Sequence, residues 1–262
     1  VSTADESRPV REEDAFDVGA VAAWLRDNAA LFRDRLDGTP EVRQFPGGAS
    51  NLTYLLRYPG VPTGSTDGAP LDLILRRPPA GAKAKSAHDM GREFTIQSAL
   101  APVYPYVARM VGLCRDAAVI GSEFYVMERL EGTILRKDLP FELSPEEAST
   151  LCEHAWEALV RLHQVDVSAV PELAALGRGD GYVARQVAGW TDRLARAATD
   201  DLGDWSSVTA WLAAHQPADV GRCLIHNDWR FDNMVLDPGD RLQVRGVLDW
   251  EMATVGDPLM DL

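Results

Sequence analysis

The stretch CLIHNDWRFDNMVLD, residues 223–237, gathers His226, Asn227, Asp228, Asp232 and Asn233 between the apolar runs Leu224-Ile225 and Met234-Val235-Leu236. One reading is a plain turn between two strands, because Asn and Asp bond their own backbone and favour turns. The other is a loop that holds a proton acceptor and a metal ligand at a fixed separation. The second reading writes the stretch as His226-x-Asp228-x-x-x-x-Asn233, followed after a short hairpin by VRGVLDWE, which delivers Asp249 at the end of an apolar strand. A loop Asp, an Asn five residues on and a later Asp at a strand end have the layout of phosphoryl transfer. That reaction needs a carboxylate near the attacking hydroxyl, here Asp228. It also needs oxygen ligands for magnesium, which prefers oxygen to nitrogen or sulfur; Asn233 and Asp249 are the candidates.

Such a loop needs elements to position it. Residues 16–36 place Val21, Trp24, Leu25, Leu31, Phe32 and Leu36 at helical spacing and predict one amphipathic helix ended by Asp37-Gly38. The period then changes. EVRQFPGGASNLTYLLRYPG reads as two strands through a Gly-Gly turn, with Leu52, Tyr54 and Leu56 alternating, and LDLILRR, 71–77, as a third. A helix over about 88–101 and strands within 107–115 and 118–130 complete the expectation for residues 1–130: a five-stranded antiparallel sheet with one helix inserted after the third strand. From residue 131 to 262 the pattern is mainly helical. Ser144-Pro145-Glu146-Glu147 is a helix start with a capping box, and further helices are expected at 180–198 and 205–215. Short strands are expected around 223–225, 233–237 and 244–249. The composition shift near residue 131 sets the lobe boundary and makes the fold class α+β.

An N-terminal lobe of this kind should hold the nucleotide. FPGGASN, 45–51, offers Gly48, Ser50 and Asn51 in a turn whose backbone N–H groups could cover phosphates; alone it reads equally as a hairpin turn. Side chains alternate along the third strand, so Ile74 and Arg76 share one face while Leu73, Leu75 and Arg77 share the other. Arg76 is the candidate phosphate cation, with Glu93 on the next helix as its partner, and Arg77 reads as a solvated surface charge.

These segments can be compared with a known family. GGASNLTYLLR, LILRRPP, GREF, FYVMERLEG, LIHNDWRFDNMVLD and VLDWEMATVGDPLMDL resemble the aminoglycoside phosphotransferase family, small-molecule kinases with a two-lobed protein-kinase-like fold. The resemblance runs from residue 45 to the last residue, and LRRPP with LDWE and GDPLMDL is most similar to the branch related to kinase domains associated with acyl-CoA dehydrogenases. It implies ATP and magnesium, Asp228 as the catalytic carboxylate and Asn233 with Asp249 as magnesium ligands. It also implies residues 127–131, Glu128 and Leu130 among them, as the segment that holds adenine by its backbone. The acceptor would be a hydroxyl on a small molecule, and family members continue into further helices beyond the position of Leu262. Two departures stand out. Asn227 sits where the family usually has Gly, and Asn tolerates unusual backbone angles; Arg76 sits where kinases more widely use Lys.

Other residues read as structural. His226 organises the loop, His163 packs at a helix end, Asp261 caps the loop's backbone amides and Asp257 before Pro258 makes a turn. Trp156, Trp190, Trp205 and Trp211 fall at helical positions and are expected in the core, with Trp190 or Trp229 as secondary candidates for a pocket wall. A net charge of −14 disfavours nonspecific nucleic-acid binding. No apolar run reaches the ~20 residues of a membrane span. The start lacks both a signal-like apolar core and an initiator Met, which suggests a processed or cut chain and no export. Three unpaired cysteines fit a reducing cytoplasm. Two alternatives remain: a non-catalytic nucleotide-binding protein, and a metal-dependent hydrolase using His226, Asp228 and Asp249. The second lacks the HxH or HExxH pair that supplies nitrogen ligands.

Overall fold

Strand-forming residues that alternate in burial need a cover on each face of their sheet. In the computed structural model, which describes residues 7–46, 51–60, 70–79, 89–137, 139–199 and 201–262, five strands meet that condition. They are β1 (Glu41–Gln44), β2 (Leu52–Tyr58), β3 (Leu71–Arg77), β4 (Met110–Cys114) and β5 (Phe124–Glu128), antiparallel in the order β1-β2-β3-β5-β4. Leu52, Tyr54, Leu56, Leu71, Leu73, Leu75, Phe124 and Val126 face one side, where helix α1 (Val18–Asn28) covers them with Val21 and Leu25. Leu55, Ile74, Tyr125 and Met127 face the other, against Met90 of helix α2 (Met90–Leu100). The five strands and the inserted helix are those the sequence predicts.

The chain divides into two compact units, Val1–Ala158 with Arg230–Glu251 and Leu159–Trp229 with Met252–Leu262. The first unit also holds a second sheet, in which β6 (Thr133–Ile134), β8 (Met234–Leu236) and β9 (Val244–Val247) lie in that order. Gly132 enters β6 so close to β8 that a Cβ there would stand 2.0 Å from the carbonyl oxygen of Leu236. Helix α3 (Pro145–His163) begins as its capping box requires. The Ser144 N–H donates to Glu147 Oε2 at 2.8 Å, and the Glu147 N–H donates to Ser144 Oγ at 3.2 Å. The second unit contains α4 (Pro171–Ala174), α5 (Tyr182–Ala197), α6 (Ser206–Ala214) and an antiparallel pair of β7 (Cys223–Ile225) with β10 (Thr254–Gly256). Asp219 fastens the start of α5 by accepting from the N–H groups of Gly181, Tyr182 and Val183.

Three expectations are corrected. The helix over 16–36 is interrupted: α1 ends at Asn28, a 3-10 helix runs over Ala30–Arg35, and Leu31 points outward. The four tryptophans are not core; Trp156, Trp190, Trp205 and Trp211 are 49–59% exposed, whereas Trp250 is fully buried. Arg77 is no solvated charge. Its Nη2 donates to the Asp14 carbonyl at 2.7 Å and to the Tyr54 hydroxyl at 3.0 Å. Its guanidinium also lies 5.4 Å from the ring centres of Phe16 and Tyr54.

That network ties the N-terminal segment to the sheet, so Arg77→Ala removes the charged donor from the buried Asp14 carbonyl and Tyr54 hydroxyl, which keep only the 2.9 Å bond from that hydroxyl to that carbonyl. The expected loss is about 2–3 kcal/mol in urea denaturation. A loss under about 0.5 kcal/mol is the behaviour of a surface charge and would contradict this assignment.

Candidate active site

Two backbone facts come first. Among the described residues other than glycine, only Asn227 and Asp249 have positive φ, 66° and 64°. L-residues avoid this left-handed region, Asn and Asp least, and it is occupied where surrounding contacts impose it.

In the first unit the contacts around Asp249 begin on β3. Arg76 Nη1 donates to Glu93 Oε1 on α2 at 2.6 Å, and Arg76 Nη2 donates to Asp249 Oδ1 at 3.2 Å. Glu93 is 1% exposed and Arg76 8%. Burial alone would lower the Arg76 guanidinium. The charge of Glu93 foremost, with Tyr125 and Asp249, outweighs it and holds Arg76 well above its ordinary range. Burial also raises the Glu93 carboxyl; Arg76 opposes that, and Asp249 adds to it. Asp249 lies two residues beyond β9 rather than within it. Just before it, the Leu248 N–H donates to the Asn233 carbonyl at 2.8 Å. Asn233 is buried in the 3-10 turn Phe231–Asn233 that leads into β8. Asn233 and Asp249 are thus tied together through backbone.

The Asn51 side chain has a partner of its own. Its Nδ2 donates to Glu251 Oε2 at 3.0 Å, and the Glu251 carbonyl accepts from Arg92 Nη1 at 2.8 Å. Glu251 closes the LDWE motif and was not singled out from the sequence. Gly48 and Ser50 lie outside the described residues. Around the segment expected to hold adenine, the N–H groups of Glu128 and Arg129 donate to the carbonyls of Arg109 at 2.9 Å and Asp72 at 3.3 Å. Asp72 also binds Arg57 and Arg129 at 2.8 Å each; burial would raise its carboxyl, and these two cations bring it below its ordinary value. Leu130 packs on Gly246, where a Cβ would come within 2.3 Å of Leu130 Cδ1.

In the second unit one carboxylate organises the loop that carries Asp228. Asp261 Oδ2 accepts from the His226 N–H at 2.9 Å, and Oδ1 accepts from the Asn227 N–H at 2.6 Å. His163 Nε2 also meets Oδ2, at 2.9 Å; a carboxylate only accepts, so this nitrogen carries the proton. The Asp228 N–H reaches His226 Nδ1 at 3.3 Å, which makes that nitrogen the acceptor. Three successive amides are therefore accepted by two side chains. Asn227 Nδ2 donates to the Met252 carbonyl at 3.0 Å and fixes the left-handed residue between them. His226 and Asp261 play the loop-organising parts expected of them, while His163 is an Asp261 partner rather than mere packing. Asp257 makes its expected turn, accepting from the Leu259 N–H at 3.0 Å.

The chain matches the phosphotransferase enzyme family (APH) over residues 41–262. It belongs to that family. It is 34% identical over 256 residues to acyl-CoA dehydrogenase family member 10 of Mus musculus, a match covering 98% of this chain and 22% of that protein. It therefore spans under a quarter of that relative's length. A Ralstonia eutropha protein solved as a candidate aminoglycoside phosphotransferase is 32% identical, with a TM-score of 0.75, over 94% of this chain and 68% of that one. The streptomycin–ATP–APH(2″)-IIa ternary complex shares the fold at 16% identity and a TM-score of 0.58, over 94% of this chain and 74% of that one. The α+β, protein-kinase-like architecture expected of a family member is the one observed.

Two features bear on other chemistry. Burial raises the thiols of Cys114 and Cys223, the latter to about 12, so neither is a ready nucleophile. Among the described residues no three His, Cys, Asp or Glu side chains converge as a metal cluster. A magnesium ion that rests mainly on phosphates and water needs only one or two protein oxygens, which Asp249 and Asn233 can supply.

For a family member with this loop, Asp261→Asn is the direct structural test. Three donors converge on two carboxylate oxygens, and an amide offers one acceptor oxygen and an NH2. The expected destabilisation is about 2–3 kcal/mol by urea denaturation. Retained stability, with unshifted His226 and Asn227 amide resonances, would show that the cap is dispensable.

Proposed function

We propose that this chain transfers the γ-phosphoryl group of ATP, with magnesium, to a hydroxyl of a small molecule. The observation that carries the reading is Arg76, held by Glu93 on one side and Asp249 on the other, with Asp249 in a left-handed backbone conformation. A cation fixed between a buried acid and an acid in the turn after β9 is suited to polyanionic phosphates. The fold shared with APH(2″)-IIa, solved as a ternary complex with streptomycin and ATP, supports the same donor.

In this reading Arg76 meets the α- and β-phosphates and Glu93 keeps it aimed. Asp249 and Asn233 would hold magnesium, which when bound neutralises charge on the phosphates. Gly48, Ser50 and Asn51, the candidates from the sequence, would offer backbone N–H groups to the phosphates. Adenine would take the backbone of the segment after β5. The Glu128 amide is already committed to Arg109, so the Leu130 N–H becomes the proposed donor there. Asp228 accepts the proton of the acceptor hydroxyl, or orients that hydroxyl when the transition state is loose. Its loop needs no base from His226, whose Nδ1 is taken by the Asp228 amide. The acceptor is a hydroxylated small molecule; no nucleic acid or membrane enters the scheme. No helix of the described residues is long and apolar enough to cross a membrane.

A phosphate-transfer screen over hydroxyacyl-CoAs, aminoglycosides and macrolides would find the acceptor, and Asp228→Ala then tests the mechanism. Turnover should fall ~10²–10⁴-fold while ATP affinity stays unchanged. A variant that keeps most of the wild-type turnover would remove Asp228 from the chemistry.

A further inference from the structure

Arg76 and Tyr125 stand opposite one another in the β3–β5 register, so both side chains leave the same face of the sheet. Helix α2 covers that face. It presents Glu93 and Gln97, four residues apart and both buried, from successive turns. The Tyr125 ring lies against Phe94 with ring centres 6.4 Å apart, and its hydroxyl reaches past the apolar layer to Glu93 and Gln97. Glu93 uses one oxygen on Arg76, through Oε1 at 2.6 Å. Its Oε2 and the Tyr125 hydroxyl are both buried, and neither closes a hydrogen bond in this structure; Arg76 Nε is a third such atom of the same cluster. Buried polar atoms left this way are costly, and here an acceptor and a donor lie side by side.

We infer that Tyr125 is a positioning residue: its hydroxyl donates to Glu93 Oε2 and keeps that carboxylate single-pronged on Arg76. With Oε2 drawn to the Tyr125 hydroxyl, Glu93 is turned away from a fork onto both terminal nitrogens of the guanidinium. The second nitrogen then remains for Asp249 and for phosphate oxygens. Burial holds the Tyr125 hydroxyl well above its ordinary range, against Arg76 and helped by Glu93, so it remains a donor. The role rests on the phosphotransferase reading above, but the contact itself does not.

The test uses Tyr125→Phe, which removes a single oxygen, Glu93→Ala and the double variant. Two quantities are read: the pH titration of the 13C-labelled Glu93 carboxyl, and ATP affinity with magnesium by calorimetry. The charged or titratable groups facing Glu93 are Arg76 from β3, Asp249 after β9, Tyr125 from β5, Glu251, and Arg92 on its own helix. Tyr125→Phe should raise the Glu93 midpoint by about one pH unit and weaken ATP binding roughly tenfold. In the Glu93→Ala background the same change should cost less than about twofold. If Glu93→Ala does not fold, the single-variant titration still decides. An unmoved midpoint overturns the hydrogen bond, and a moved midpoint with unchanged ATP affinity overturns the positioning role. If the wild-type chain binds no ATP with magnesium, the phosphotransferase reading falls along with that role, while the titration still decides the Tyr125–Glu93 contact.

Discussion

One positive charge between two negative ones organises the first unit. The Arg76 guanidinium is nearly enclosed, and its two terminal nitrogens go to different carboxylates, Glu93 and Asp249. Taking such charges out of water is unfavourable unless each finds its partners. Breaking a buried pair costs roughly 3–5 kcal/mol because the remaining charge is stranded. The surrounding structure follows from that constraint. β3 must sit in the middle of the sheet, α2 must bring Glu93 down on it, and the chain after β9 must turn sharply enough to aim Asp249 back. The left-handed backbone of Asp249 is where that turn is made.

The second left-handed residue, Asn227, is held by other means. Here a carboxylate from far along the chain, Asp261, accepts two neighbouring amides, and His226 accepts a third. Left-handed backbone at both positions, and at no other described non-glycine residue, is the pattern of a fold that fixes a few functional groups firmly. Arg in place of Lys suits the first arrangement. A planar fork can reach two acids at once, whereas an ammonium is a single point charge.

Much of this was legible in the sequence because it is periodic or local. Alternation along LDLILRR separated Arg76 from Arg77, the change from helical to strand spacing marked the sheet, and SPEE announced α3 through its own cap. What was not legible depends on distant partners. Nothing near Arg77 signals that it will bind the Asp14 carbonyl, 63 residues earlier. Helical spacing shows which tryptophans share a stripe but not whether anything covers it, and Trp190 and Trp211 are exposed. β6 and β10, of two and three residues, are too short to carry a period. Glu251 and Tyr125 acquire meaning only once the register and the turn after β9 place them beside Asn51 and Glu93.

The claim that this arrangement serves a magnesium–nucleotide complex is tested most directly by calorimetric titration of ATP into wild-type and Asp249→Asn chains, with and without magnesium. The wild type should bind ATP at least about tenfold more tightly with magnesium, and Asp249→Asn should lose most of that gain while still binding ATP weakly. Equal magnesium dependence in the two chains would contradict the account, because Asp249 would then be a partner of Arg76 and nothing more.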